Sequence, residues 1–187
     1  RPLTRSAAAG MTRLVFLLGA PALVALACAR GPLTPPGVPL VWAALPPSAR
    51  PLECRSVRPG EPLAALLAEA RRGDAFCLEE GIHPGPATLG EGVTLWGPRS
   101  AVIHSAGSGD TVRLAGAGAR LAGMTIDGSG GRFDLQEAAV QVHGDRAVVD
   151  GTRIVNALFG IIVAQSRGVV LRGNEIAGPG APQTGLR

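Results

Sequence analysis

Between Val93 and Gly178 the chain repeats one short phrase, an apolar strand closed by glycine: V-T-L-W-G at 93–97, A-R-L-A-G at 119–123, A-V-V-D-G at 147–151 and V-V-L-R-G at 169–173. The closing glycines lie 26, 28 and 22 residues apart, and the last three are each followed three residues later by an isoleucine, at 126, 154 and 176. Two residues before each glycine stand Leu95, Leu121, Val149 and Leu171; four before stand Val93, Ala119, Ala147 and Val169. The positions between them are mixed and include Arg120, Asp150 and Arg172. Alternate side chains of a strand share a face, so the phrase predicts one inward and one outward row.

A second strand stands apart from these copies: Val112-Arg113-Leu114, Val140-Gln141-Val142 and Ile161-Ile162-Val163. The isoleucines at 126, 154 and 176 supply a third. A unit of three short strands with no crossover helix cannot hide its apolar face alone, but units wound as successive coils stack like on like. The pattern therefore predicts an all-β, single-stranded parallel β-helix, with the extra residues of longer periods in turns around 106–109 and 128–137. An antiparallel sandwich also carries short strands and glycine turns, yet has no need of in-register apolar columns. The last match, Leu186 after Gly185, reads as a coil cut partway, so a C-terminally truncated domain is expected.

Ahead of the repeats, Glu61-Pro62 opens a predicted helix over 61–72. Leu63, Leu66, Leu67 and Ala70 form one apolar stripe, Arg71-Arg72 suit the C-terminal dipole and Gly73 follows as a stop. Such a helix is expected to cap the open end of the apolar column. Cys54 and Cys77 flank it; in an exported chain they read as a disulfide, with two buried thiols as the alternative.

The N-terminal third is of another kind. Residues 1–10 read as an upstream edge before Met11. Met11-Thr12-Arg13 and the apolar run Leu14 to Ala27 form an export signal at 11–28, since the run is shorter than the roughly 20 residues a membrane span needs. Ala25-Leu26-Ala27 precedes Cys28, an arrangement that resembles a bacterial lipoprotein signal in which the thiol is acylated; alanine stands at −3 where that pattern prefers leucine. The alternative is an unmodified cysteine, and both readings export the chain. Residues 29–52 are proline-rich and predict an extended tether, in which 40–42 offers a short strand or a stretch that docks on the domain. The β-helix domain is expected over 53–187.

The net charge is +4, every basic residue is arginine, and aromatic residues make up 3%. Scattered arginines without aromatic platforms argue against a nucleic-acid partner.

Several segments together resemble the NosD family: Gly73-Asp74 with Gly81, L-A-G-M-T-I at 121–126, E-A-A-V at 137–140, N-A-L-F-G-I-I-V at 156–163 and R-G-N-E-I-A-G at 172–178. The likeness spans roughly residues 60–187. It implies a periplasmic right-handed β-helix protein that assists copper delivery to nitrous oxide reductase, working with an ABC transporter in the inner membrane and a copper-chaperone lipoprotein. The lipoprotein-like signal departs from a simple soluble periplasmic member.

Copper favours His, Met or Cys ligands. His83, His104, His143 and Met124 are available outside the signal, in no H-x-H or H-x3-H spacing; all read first as core or turn residues, with His104, His143 and Met124 the metal candidates. A polysaccharide-binding protein, lyase, epimerase or hydrolase is the second reading. It needs convergent acids, for which Asp127 and Asp134 are the catalytic candidates beside Glu137 and Asp150. Asp127 and Asn156 are expected on one turn of adjacent coils, overhung by the insertion that carries Asp134. Asn156 and Asn174 read as turn residues that bond backbone groups. A non-catalytic, surface-anchored scaffold is the third reading.

Overall fold

The computed structural model describes residues 48–180. The upstream edge, the export signal with Cys28, most of the tether with the 40–42 stretch, and the Gly185-Leu186 match lie outside the described residues.

The chain winds as a parallel β-helix. It enters through β1 (Arg55–Val57) and a short helix α1 (Leu63–Ala68). Coil 1 follows as β2 (Ala75–Leu78), β3 (Gly81–Pro84) and β4 (Ala87–Leu89), and coil 2 as β5 (Thr94–Trp96), β6 (Ala101–His104) and β7 (Val112–Leu114). Coil 3 is β8 (Arg120–Ala122), β9 (Thr125–Asp127) and β10 (Ala138–Val142); coil 4 is β11 (Val148–Asp150), β12 (Arg153–Val155) and β13 (Phe159–Val163). Coil 5 contributes β14 (Val170–Arg172) and β15 (Glu175–Ile176). The first strand of every coil joins one sheet in the order β1-β2-β5-β8-β11-β14, the second strands another, β3-β6-β9-β12-β15, and the third strands a third, β4-β7-β10-β13.

The expected columns are in register. Leu95, Leu121, Val149 and Leu171 stack in the first sheet, with Phe76 of coil 1 beneath them. Ile103, Ile126, Ile154 and Ile176 stack in the second, and Leu89, Leu114, Val142 and Val163 in the third. Leu95, Leu121, Val149, Ile103, Ile126, Ile154, Leu89, Leu114 and Val142 are all 0% exposed. Burying such a side chain contributes about 1.5–3 kcal/mol, which is why a coil that buries little alone is stable in the stack. The glycine that closes the first strand is set by the turn: Gly123, Gly151 and Gly173 have φ of 86°, 64° and 61°. At Gly123 an added Cβ would also stand 2.5 Å from the Gly97 carbonyl oxygen.

Two features differ from the sequence reading. A complete coil, β2 to β4, precedes Val93, where only one extended segment at 75–78 is expected. It lacks the strand-glycine phrase, and its inward position in the second sheet is His83, aligned with Ile103. The helix covers 63–68 rather than 61–72. The Arg71 N–H donates to Asp74 Oδ2 at 2.7 Å and the Asp74 N–H to the Arg71 carbonyl at 3.0 Å, so Arg71 and Arg72 belong to a tight turn and not to the last helical turn. The helix nonetheless caps: Leu63 and Leu67 are 1% and 3% exposed within the core cluster, and α1 packs beside β4.

Cys54 and Cys77 are disulfide-bonded, with Cα atoms 5.7 Å apart. The bond fastens the segment leading into β1 onto coil 1. Net charge is not a property of the β-helix: all fourteen acidic residues of the chain, but only thirteen of its eighteen arginines, fall within 48–180.

Candidate functional site

The second sheet places three polar side chains one above another at the edge facing the long turns. His104 ends β6 and pairs with Asp127, which ends β9 and pairs with Val155. Asn156 follows β12 at φ 58°, a left-handed conformation that asparagine tolerates better than most residues. Asp127 Oδ1 accepts from Asn156 Nδ2 and from the Ser129 N–H, both at 3.2 Å. Asp127 Oδ2 lies 3.0 Å from His104 Nδ1. A carboxylate only accepts, so Nδ1 carries the proton and, in the neutral ring, Nε2 is left with a lone pair. The Asp127 side chain is 19% exposed and that of His104 52%. Burial pushes the Asp127 pKa up, but the hydrogen bonds from Asn156, the Ser129 backbone and His104 outweigh it and hold the carboxyl below its ordinary range.

The long turns of coils 2 and 3 lie side by side beyond this ladder. An added Cβ at Gly130 would meet the Gly107 backbone at 2.8 Å. Asp110 anchors the coil-3 insertion by accepting the Ala138 N–H at 3.0 Å, while its other oxygen pairs with Arg113 at 2.7 Å. At the tip Asp134 pairs with Arg132 at 2.6 Å, and Glu137 accepts the Arg132 N–H at 2.8 Å. No hydrogen bond joins Asp134 to Asp127 among the described residues. The insertion turns instead toward β13, where Phe133 stacks on Phe159 with ring centroids 5.5 Å apart.

A second polar ladder crosses the first sheet. Asp150 Oδ2 accepts from Arg172 at 2.7 Å and Arg120 at 3.2 Å. The Arg172 hydrogen bond leads the causes that hold its carboxyl below the ordinary range, against burial. The Asp150 side chain is 9% exposed although its position is outward. Asn174 is a turn residue as expected, donating to the Val149 carbonyl at 3.0 Å. Asn156 bonds a side chain rather than the backbone.

The remaining metal candidates are separated. Met124 is 0% exposed in the core. His83 is likewise buried, with Nε2 2.9 Å from the Glu79 carbonyl and Nδ1 without a partner. His143 lies beyond β10 in the third sheet, its ring 3.3 Å from the Gln141 amide. Cys54 and Cys77 are joined to each other. Among the described residues no three His, Cys, Asp or Glu side chains come together as metal ligands. His104, exposed and oriented by a carboxylate, is the one candidate whose free nitrogen is held in a defined direction.

The class that these observations define is a parallel β-helix with polar side chains laddered along its outer faces. No protein-family model, curated protein or solved structure matches the chain.

Proposed function

We propose that the protein is an exported, non-catalytic β-helix accessory protein of the NosD type, which assists copper delivery to nitrous oxide reductase. The observation that carries the non-catalytic reading is the state of the acids. Asp127 spends both oxygens on Asn156, Ser129 and His104; Asp134 and Glu137 are bound to Arg132; Asp150 is bound to two arginines. A general acid needs a carboxyl whose pKa stands near the working pH, and those of Asp127 and Asp150 are lowered. The resemblance in 156–163 and 172–178 supports the family. The partners it implies are an ABC transporter, a copper-chaperone lipoprotein and the reductase, in the periplasm; a lipid anchor at Cys28 rests separately on the signal-like segment that ends there. The test is to delete the gene in its host and measure copper in the purified reductase. A copper-depleted reductase restored by the intact gene is expected; full loading without the gene overturns the reading.

A second reading, a polysaccharide-binding β-helix, draws on one observation. Phe133 is 74% exposed and stacked on Phe159, an aromatic surface of the sort on which sugar rings pack. Binding to a glycan panel that disappears in Phe133→Ala would favour it, and no binding by the intact chain would remove it.

A further inference from the structure

The outward row of the first sheet is partly covered by the chain itself. Ser48 and Arg50, which belong to the expected extended tether, lie against the coils. The Trp96 indole N–H donates to the Ser48 carbonyl at 2.9 Å, and the Ser48 hydroxyl donates to the Asp150 carbonyl at 3.1 Å. The segment thus touches coil 2 and coil 4, and crosses the row Trp96, Ala122, Asp150, in which Ala122 and Asp150 are 1% and 6% exposed. The crossing is close at Gly151, where an added Cβ would stand 3.1 Å from Ser48 Oγ. Two residues on, the Arg50 guanidinium carbon lies 5.8 Å from the Trp96 ring centroid, within the range of cation–π attraction. Arg50 also borders a cavity of about 340 Å3 whose lining includes Trp96, Pro98, Glu79 and Glu80.

These are the parts of a peptide-recognition site. An indole N–H takes a backbone carbonyl, a ring face takes a cation, and Glu79 and Glu80 line the same cavity as that cation, the Glu79 carboxylate accepting from the Ser56 hydroxyl at 2.7 Å. Arg50 precedes Pro51 and is thereby biased toward extended backbone, with proline limiting the entropy lost on binding. We propose that the cleft between Trp96 and Glu79-Glu80 is a docking site for an extended, arginine-bearing, proline-flanked peptide, and that residues 48–51 are its resident in cis, exchangeable for the same chemistry on a partner protein. The site does not depend on copper chemistry or on the identity of the reductase.

Competition tests it. The probe is a fluorescent peptide with the sequence of residues 46–53, titrated by anisotropy into the full chain and into the full chain carrying Ser48→Ala and Arg50→Glu, two changes at the surface of the strap. The cis segment competes at high effective concentration, so at least tenfold tighter binding of the probe to the double variant is expected. Adding Trp96→Phe, which keeps a ring but removes the N–H, is expected to abolish that gain, while far-UV circular dichroism reports that each variant keeps its β-helix. Equal affinity of the probe for the native and double-variant chains, no binding to a folded double variant, or undiminished binding after Trp96→Phe overturns the proposal.

Discussion

Asn174 holds Thr152 from one coil to the next: its Oδ1 accepts both the Thr152 N–H, at 3.0 Å, and the Thr152 hydroxyl, at 2.8 Å. Thr152 is 0% exposed, so Asn174 meets donors that are shut off from solvent while its side chain is in place. A buried donor left unmet costs about 1–3 kcal/mol. Asn174→Ala is therefore expected to lower the unfolding free energy by about 2–4 kcal/mol, read from urea denaturation; a loss under 0.5 kcal/mol refutes this role.

Glycines in the turn before the first strand set how closely coils approach. A Cβ at Gly144 would collide with the carbonyl of Gly116, one coil below, whereas at Gly178 it would meet nothing within 4 Å. Gly144→Ala should cost about 1–3 kcal/mol by overpacking against backbone that cannot rotate away. Gly178→Ala should be near neutral, and equal melting temperatures for the two variants would contradict the model of stacked turns.

Acid should weaken the fold through Asp127 and Asp150. Both carboxyls are held below their ordinary range in the folded chain, so their contribution is present above the unfolded carboxylate pKa of about 3.9 and is lost as pH falls through the folded value. The stability difference between the native chain and Asp150→Asn is expected to be constant above about pH 5 and to shrink below about pH 4. A difference that grows on acidification would reverse the sign.

His83 fills the place that isoleucine holds in coils 2 to 5, with one ring nitrogen unpartnered. His83→Ile loses the Glu79 hydrogen bond but removes a buried orphan and fills the column with apolar atoms. The net change in thermal stability should be within about 1 kcal/mol of zero or stabilising, while His83→Ala, which opens a cavity, should cost about 2 kcal/mol or more. Equal losses in the two variants would mean that the imidazole itself is required.

Reduction should be costly. The disulfide closes a loop with a sequence separation of 23, for which loop-closure entropy gives about 3–4 kcal/mol. Replacing Cys54 and Cys77 by serine is expected to lower the denaturation midpoint accordingly and to render it insensitive to dithiothreitol; a double variant as stable as the oxidised chain would refute this.

The columns were legible because stacking enforces them: Leu95, Leu121, Val149 and Leu171 can share a core only if the strands between them are in register. Coil 1 was hidden because Phe76 and His83 replace the aliphatic residues of later coils and no glycine closes β2. For the candidate site, the spacing of Asp127 and Asn156 placed them together, but His104 was not seen to join them. The turn after Gly97 is three residues longer than the turn after Gly123, which disguises the alignment of His104 with Asp127. The insertion's direction depends on Phe133 meeting Phe159, a contact that no period encodes. Nor did composition reveal the strap over Trp96, because a proline-rich stretch reads as solvated whether or not an indole is waiting for its carbonyl.

The turn between the second and third sheets absorbs most of the variation in coil length, from Gly85-Pro86 in coil 1 to the ten residues 128–137 in coil 3. Strand registers on either side are unmoved by it. Shape on this flank can thus be rewritten by inserting or deleting residues without renegotiating the core, so selection can alter what the protein meets there.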